Sequence, residues 1–252
     1  FDPNDIAGPA GVGPGNHVAP GLMPYTVRFE NDPDRASAPA QTVTVTHALD
    51  ADLDPATFRL GDIGFGDTLL DVPDGLTHYE ARVDLRATHG LFVDVVADLN
   101  AATRTATWTF RSVDPATGAP LDPVSIAGFL PPNGDYGEGE GFVRFTVSPL
   151  AGRGTGTRIN AQARIVFDTN DPIDTPPVFH TLDAGGPASR VLPLPAQVAA
   201  PDFVVRWAGA DDAGGVGVAG YTVSVSEDGG PFRVWLADTV ATEAVFPGRA
   251  GG

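Results

Sequence analysis

The chain has 252 residues and a formal net charge of -17, from 32 acidic side chains against 15 basic ones, every one of them Arg. The absence of Cys excludes a disulfide framework, a thiolate metal site and a thiol nucleophile, and the absence of Lys excludes Schiff-base chemistry, a P-loop and a Lys–Asn isopeptide staple. So acidic a chain repels nucleic acid and anionic lipid, no apolar run approaches the ~20 residues that span a bilayer, and an apolar content of 42% is enough to build a core.

Phe1-Asp2-Pro3 reads as the middle of a longer polypeptide. Residues 7–24 hold five Gly and four Pro and predict an irregular leader laid along the domain surface. From there the dominant period is two. Val27 and Phe29 alternate with Thr26, Arg28 and Glu30, and Val43 and Val45 alternate with Thr42, Thr44 and Thr46. Tyr79, Ala81, Val83 and Leu85 form a further apolar face, as do Leu91, Val93, Val95 and Ala97, then Trp108 and Phe110. Val143, Phe145 and Val147 follow, and then Ile159, Ala161, Ala163, Ile165 and Phe167. Such alternation puts one face on a core and the other in water, and the Thr- and Val-rich composition suits a pleated surface.

Turn clusters punctuate these runs, among them Asp32-Pro33-Asp34, Asp54-Pro55, Pro73-Asp74-Gly75 and Asp114-Pro115. Residues 115–141 predict a long loop, and the proline-rich stretch 168–195 predicts a connector. No window carries a sustained helical period, so the expected class is all-β, an antiparallel sandwich with long loops. After residue 188 the pattern restarts. Phe203, Val205 and Trp207 make one strand face, Tyr221, Val223 and Val225 the next, and Phe232, Val234 and Leu236 a third. Trp235 alternates with that third set and is expected to point outward; Trp108 and Trp207 are expected in cores.

Residues 188–252 resemble a fibronectin type III module, through Val205-Arg206-Trp207, Gly220-Tyr221-Thr222-Val223-Ser224-Val225 and the turn Asp228-Gly229-Gly230-Pro231-Phe232. That resemblance implies a seven-stranded sandwich, here expected to be truncated before its last two strands. Residues 1–183 resemble the Ig-like conserved-repeat domains of large bacterial surface and secreted proteins. The resemblance is carried by Pro24-Tyr25-Thr26-Val27-Arg28-Phe29-Glu30-Asn31, by Ala40-Gln41-Thr42-Val43-Thr44-Val45-Thr46, by Leu49-Asp50-Ala51-Asp52-Leu53-Asp54 and by the run from Ile159 to Ile173. It implies a non-catalytic module, extracellular or at the cell surface, whose partners are neighbouring β-sandwich modules of the same polypeptide.

One acidic echo recurs: Phe1-Asp2-Pro3-Asn4-Asp5-Ile6 and Phe167-Asp168-Thr169-Asn170-Asp171-Pro172-Ile173. Oxygens at alternate loop positions suit calcium, which takes six to eight hard ligands, so Asp2, Asn4, Asp5, Asp168, Asn170 and Asp171 form the candidate metal set. The competing reading is that these side chains cap turns through backbone bonds. Asp50, Asp52 and Asp54 have the spacing of the first EF-hand ligands, but Pro55 stands where that loop needs Gly and Gly61 where it needs Glu, so no EF-hand is expected. Asp211-Asp212 reads as an ordinary turn. The five His residues form neither HExxH nor a helical pair, and no Gly-x-Ser-x-Gly occurs, so no catalytic residue and no enzyme activity is expected. The expected function is a structural or adhesive stalk module rigidified by calcium. The alternative is a glycan- or protein-binding module accessory to a secreted hydrolase, using loop 115–141 or Trp235.

Overall fold

A computed structural model of the chain describes residues 4–198 and 202–248. It divides into two compact units, residues 1–153 with 157–182, and residues 154–156 with 183–252. Among the described residues every regular element is a strand.

The first unit contains, in chain order, β1 (Asp5–Ala7), β2 (His17–Val18), β3 (Met23–Glu30), β4 (Thr42–Ala48), β5 (Leu53–Phe65), β6 (Thr68–Leu70), β7 (His78–Leu85), β8 (Leu91–Asn100), β9 (Thr105–Val113), β10 (Glu140–Pro149), β11 (Arg158–Ala161), β12 (Ala163–Phe167), β13 (Ile173–Asp174) and β14 (Val178–Leu182). One sheet runs β1-β3-β10-β5-β6, and a second runs β13-β12-β4-β9-β8-β7. Their apolar faces meet: Phe29 lies 5.4 Å from Phe110, and Trp108 lies 5.7 Å from Phe145, ring centroid to centroid. This is the expected antiparallel β-sandwich. Each strand's alternation decides which face goes inward, and β3 and β9 bury every second residue as their sequences require.

A small third sheet, β11-β14-β2, covers one end. β11 and β12 are one sequence run broken at Gln162: before it the chain pairs with β14, after it with β4. Gln162 is therefore outside both ladders, and its side-chain Nε2 donates to Thr175 O at 2.8 Å.

Four expectations change. The leader is not merely draped, because His17 and Val18 pair in parallel with Thr181 and Leu182. The loop expected over 115–141 runs between β9 and β10, over 114–139, and adds to the core: Phe129 and Leu130 are buried, and Phe129 packs 5.2 Å from Phe65. Asn31 anchors it, its Nδ2 donating to Leu130 O at 2.9 Å and Ala38 O at 3.2 Å. The stretch 53–65, punctuated by Pro55, Gly61 and Gly64, is one long strand. Two register shifts against β10 absorb the residues that break its alternation. The proline-rich stretch 168–195 is not a bare connector, since it carries β13, β14 and the first strand of the second unit.

The second unit contains β15 (Ala188–Val191), β16 (Asp202–Ala210), β17 (Tyr221–Val225), β18 (Arg233–Thr239) and β19 (Glu243–Pro247). They form a β15-β16-β19 sheet and a β17-β18 pair. The core is Val205, Trp207, Val223 and Phe246. Trp235 corrects an expectation: it faces this core, 6.2 Å from Trp207 and 5.1 Å from Phe246. Arg233 pairs with Val225 and Thr239 with Tyr221, so the odd-numbered residues of β18, Trp235 among them, share the inward face of β17, and the irregularity at Val223–Leu236 brings Leu236 to the core margin as well. Phe232 and Val234, read as core, are 77% and 61% exposed.

Candidate functional site: acidic groups and their partners

The Asp and Asn residues singled out from the sequence have identifiable positions. Asp2 lies outside the described residues. Asn4, just before β1, accepts the Glu30 backbone N–H at 3.1 Å through Oδ1. Asp5 holds the Arg28 guanidinium with both oxygens at 3.1 Å. Asp168 has a φ of 51° and turns the chain after β12; its Oδ1 accepts the N–H groups of Gln41 at 2.9 Å and Thr42 at 2.8 Å. Asp168 thereby caps the start of β4 with a charge-assisted pair of bonds. Asn170 N–H donates to Phe167 O at 2.9 Å, closing the same turn, and the Asn170 and Asp171 side chains are exposed.

The same use of carboxylates recurs along the chain. Asp32, Asp50, Asp54, Asp114 and Asp122 each accept the backbone N–H two residues onward, at 2.8–3.0 Å. A short acidic side chain makes this Asx turn because its oxygen reaches a backbone donor that the turn leaves free. Asp50 also binds Asn160 N–H with its other oxygen at 2.9 Å. Exposed strand faces carry Arg–carboxylate pairs: Arg82 with Asp94 at 2.6 Å, Arg164 with Asp174 at 2.8 Å and Arg86 with Asp84 at 2.7 Å. The bonds from Arg86 hold the Asp84 carboxyl down to about 2.

One acidic group has a different geometry. Asp183, Asp211 and Asp212 bring a carboxylate oxygen each to within 4.8 Å of one another. Asp183 opens the second unit, and the two others begin the turn after β16. Asp183 Oδ2 accepts Val216 N–H at 3.0 Å, and Asp211 Oδ2 accepts Gly217 N–H at 2.7 Å. The second oxygen of Asp183, Oδ1, is shut off from solvent and has no protein donor. The surrounding turn is built close: a Cβ added at Gly215 would stand 2.6 Å from Asp211 Oδ2, and one at Gly185 2.6 Å from Asp212 Oδ2. The donor set is all hard oxygen, which fits calcium better than a softer metal. Asp183 was missed in the sequence because it lies 28 residues before Asp211; the signal available was only Asp211-Asp212 in a Gly-rich turn.

The five His residues stand at separate places. His78 sits on an exposed strand between Asp98 at 3.2 Å and Glu80 at 3.3 Å. His89 contacts Thr88 Oγ1 at 2.8 Å, and His17 Nδ1 lies 3.4 Å from Val12 O. His47 and His180 are buried in the first unit.

Comparison with known proteins gives a family model, described as a domain of unknown function (DUF7619), that matches residues 128–181. No protein with a curated description matches the chain. Among solved structures the chain is similar to the N-terminal domain of the Streptococcus gordonii adhesin Sgo0707, at 12% identity and a TM-score of 0.37, over 71% of this chain and 32% of that one. It thus spans about a third of that adhesin chain. It is also similar to the collagen-binding domain of a Staphylococcus aureus adhesin, at 12% identity and a TM-score of 0.32, over 71% of this chain and 95% of that one. A third similar structure is domains D2 and D3 of the major pilin SpaD from Corynebacterium diphtheriae, at 12% identity and a TM-score of 0.34, over 90% of this chain and 68% of that one. These neighbours are adhesin and pilin domains, and the described residues of this chain are all-β, with an antiparallel sandwich in the first unit.

Proposed function

We propose that the chain is a non-catalytic structural and adhesive stalk segment of a large extracellular bacterial protein, its partners the neighbouring sandwich modules of the same polypeptide. One observation carries this reading: carboxylates of the turns and strand faces are spent on backbone N–H groups and on Arg, so the acid maintains shape. In this reading the second unit is fibronectin type III-like, supported by the core that its β15-β16-β19 sheet shares with the β17-β18 pair. The test is force spectroscopy on the full chain held between marker domains. A stalk segment resists, with a distinct unfolding peak for the first unit; a chain that extends without a peak removes the mechanical reading.

Calcium belongs to the proposal as a stiffening ion. Its candidate seats are the Asp168–Asp171 turn, from which Asn4 and Asp5 stand apart on the other sheet, and the group Asp183, Asp211 and Asp212. Thermal unfolding in millimolar Ca²⁺ and then in chelator, at fixed ionic strength, distinguishes them. A ligand that binds only the folded state stabilises by ~2.7 kcal/mol at a hundred times its dissociation constant. A calcium-dependent rise abolished by Asp183→Asn places the ion in the second unit, and one abolished by Asp171→Asn places it at the β12–β13 turn. No rise in the parent chain removes calcium from the function.

A second reading has its own support. In loop 114–139, Val124, Ile126 and Tyr136 are 86%, 86% and 95% exposed, an arrangement that suits capture of a protein or glycan ligand. Binding to a glycan array or a panel of matrix proteins that is lost in Tyr136→Ala with Ile126→Ser would favour it over a passive stalk.

A further inference from the structure

Tyr25, His47 and His180 form a buried polar cluster in the first unit, where the third sheet meets the sandwich. They are 1%, 0% and 4% exposed. The Tyr25 ring lies 6.2 Å from that of His47 and meets His180 edge-on at 5.9 Å. Phe145 stacks on Tyr25 at 5.1 Å and lies 5.1 Å from His47. Each of the three has a polar atom with no protein partner: Tyr25 Oη, His47 Nε2 and His180 Nδ1.

One hydrogen bond and one buried nitrogen without an acceptor together assign each imidazole its neutral tautomer. His47 Nδ1 lies 3.0 Å from Gln162 O, the carbonyl freed where β11 breaks from β12. A carbonyl only accepts, so Nδ1 carries the proton and Nε2 is bare. His180 Nε2 lies 2.9 Å from Pro9 O, so Nε2 carries the proton and Nδ1 is bare. Both rings are therefore neutral. A second proton would put a charge and an unmatched N–H donor into the core, which is costly.

Among the described residues no acidic side chain pairs with His180 to offset that cost. Its neighbours are Tyr25, the leader backbone at Gly8 and Pro9, and Ile159 across the β11–β14 ladder. His47 faces Tyr25, Phe145, and Ala106 and Ala163 on the flanking strands. Asp50 is the one charge that reaches it, and reaches Tyr25 as well. Burial outweighs that attraction and the Gln162 bond, pushing the His47 imidazole below its ordinary value; burial likewise lowers His180 against its bond to Pro9.

His180 also sits at a mechanical junction. It is on β14, the last strand of the first unit, and its ring packs so tightly under the leader that a Cβ on Gly8 would stand 2.3 Å from Cε1. Between β1, which ties its start to β3, and β3 itself, the described leader is held to β14 by the short parallel pairing of His17 and Val18. We propose that His180 is an acid-sensitive catch: taking up a proton expels its ring, and the leader and β14 are released from the sandwich while His47 sensitises the core to the same condition.

The sign follows from linkage. The folded chain resists a proton that the unfolded chain accepts at the ordinary imidazole value of about 6.5, so stability is full above that value and is lost as pH falls below it. Each buried imidazole raises the unfolding equilibrium constant by up to about tenfold per pH unit in that window, and the two together by up to about a hundredfold. Reduced self-repulsion in a chain of net charge -17 acts in the opposite direction, so it does not mimic the effect.

The experiment is amide hydrogen exchange and imidazole NMR on the full chain between pH 7.5 and 5.0, with exposed His78 and His89 as reference signals. The expected result is that His47 and His180 stay neutral well below the ordinary imidazole value of about 6.5, and that leader and β14 amides lose protection on acidification before those of β4 and β9. His180→Gln keeps a donor for Pro9 O and removes the proton site, so it should abolish the early loss and leave a one-imidazole slope in the unfolding midpoint. Should that variant fail to fold, the parent chain's ring titration still decides. Rings that titrate at about 6.5 in the folded chain, or leader amides whose protection is unchanged at pH 5.5 after correction for intrinsic exchange, overturn the proposal.

Discussion

The two units are written in the same strand grammar and differ in how far they close it. In the first, thirty-three described apolar residues from three sheets share one core. In the second, four do, with Trp235, Phe203 and Leu236 packed at their margin. Beside that core lies an open groove of about 810 Å³, lined by Phe203, Val223, Trp235 and Phe246. Val204, Val234 and Val245 are 40%, 61% and 58% exposed. Alternation is thus necessary for a sandwich and insufficient for a core. A core also needs enough facing strands to remove the apolar face from water, and stability scales with the area removed.

The largest test of this comparison is a pair of Trp replacements. Trp108 is fully buried among Phe58, Phe145 and its own strand neighbours, so Trp108→Ala should cost about 3–5 kcal/mol and lower the main calorimetric transition steeply. Trp207→Ala should instead abolish a separate, weaker transition and leave the main one in place. A single transition displaced equally by both would mean that the two cores unfold as one, and the contrast would collapse.

Asn31 sharpens the contrast within the first unit. Its Nδ2 donates to two loop carbonyls from a buried position; Asn31→Ala removes both bonds, though Leu130 O keeps the Ala40 N–H at 2.8 Å, and should cost about 1 kcal/mol in denaturant unfolding. Protease susceptibility of loop 114–139 should rise in parallel.

Asp168 separates capping from charge. Asp168→Ala removes both bonds to the start of β4 and should cost about 1 kcal/mol, whereas Asp168→Asn keeps an acceptor oxygen and should cost clearly less. Equal losses in the two variants would argue that the negative charge itself is needed there.

The smallest effect is expected at Asp84. Its carboxyl is held near 2 by the Arg86 bonds, so any contribution would be present above about 4 and lost as pH falls toward 2. The pair is solvent-exposed and screened, so Asp84→Asn should leave the midpoint at pH 7 within error. A measurable drop would show that surface pairs contribute to the first unit beyond its core.

Several features were legible from residues alone. Val27, Phe29, Val43, Val45, Trp108 and Phe110 alternate with polar neighbours, and all are buried, because a strand's two-residue period leaves only one choice of face. The Asx-turn use of Asp32, Asp54 and Asp114 follows from a short side chain beside its own backbone, a local matter.

What the tertiary structure decided involves distance or parity. β5 was hidden because two register shifts interrupt its alternation and become visible only against β10. Trp235 turned inward because β18 pairs with Arg233 opposite Val225 and Thr239 opposite Tyr221, a register that only the folded β17–β18 ladder sets. Asp183 joins Asp211 and Asp212 only once the chain has folded through β15 and β16. His47 meets the Gln162 carbonyl across 115 residues, and His180 the Pro9 carbonyl across 171. Local sequence fixes which atoms need partners; only the closed sandwich brings the partners within reach or leaves a nitrogen bare, because desolvation is a property of the assembled core and not of any one strand.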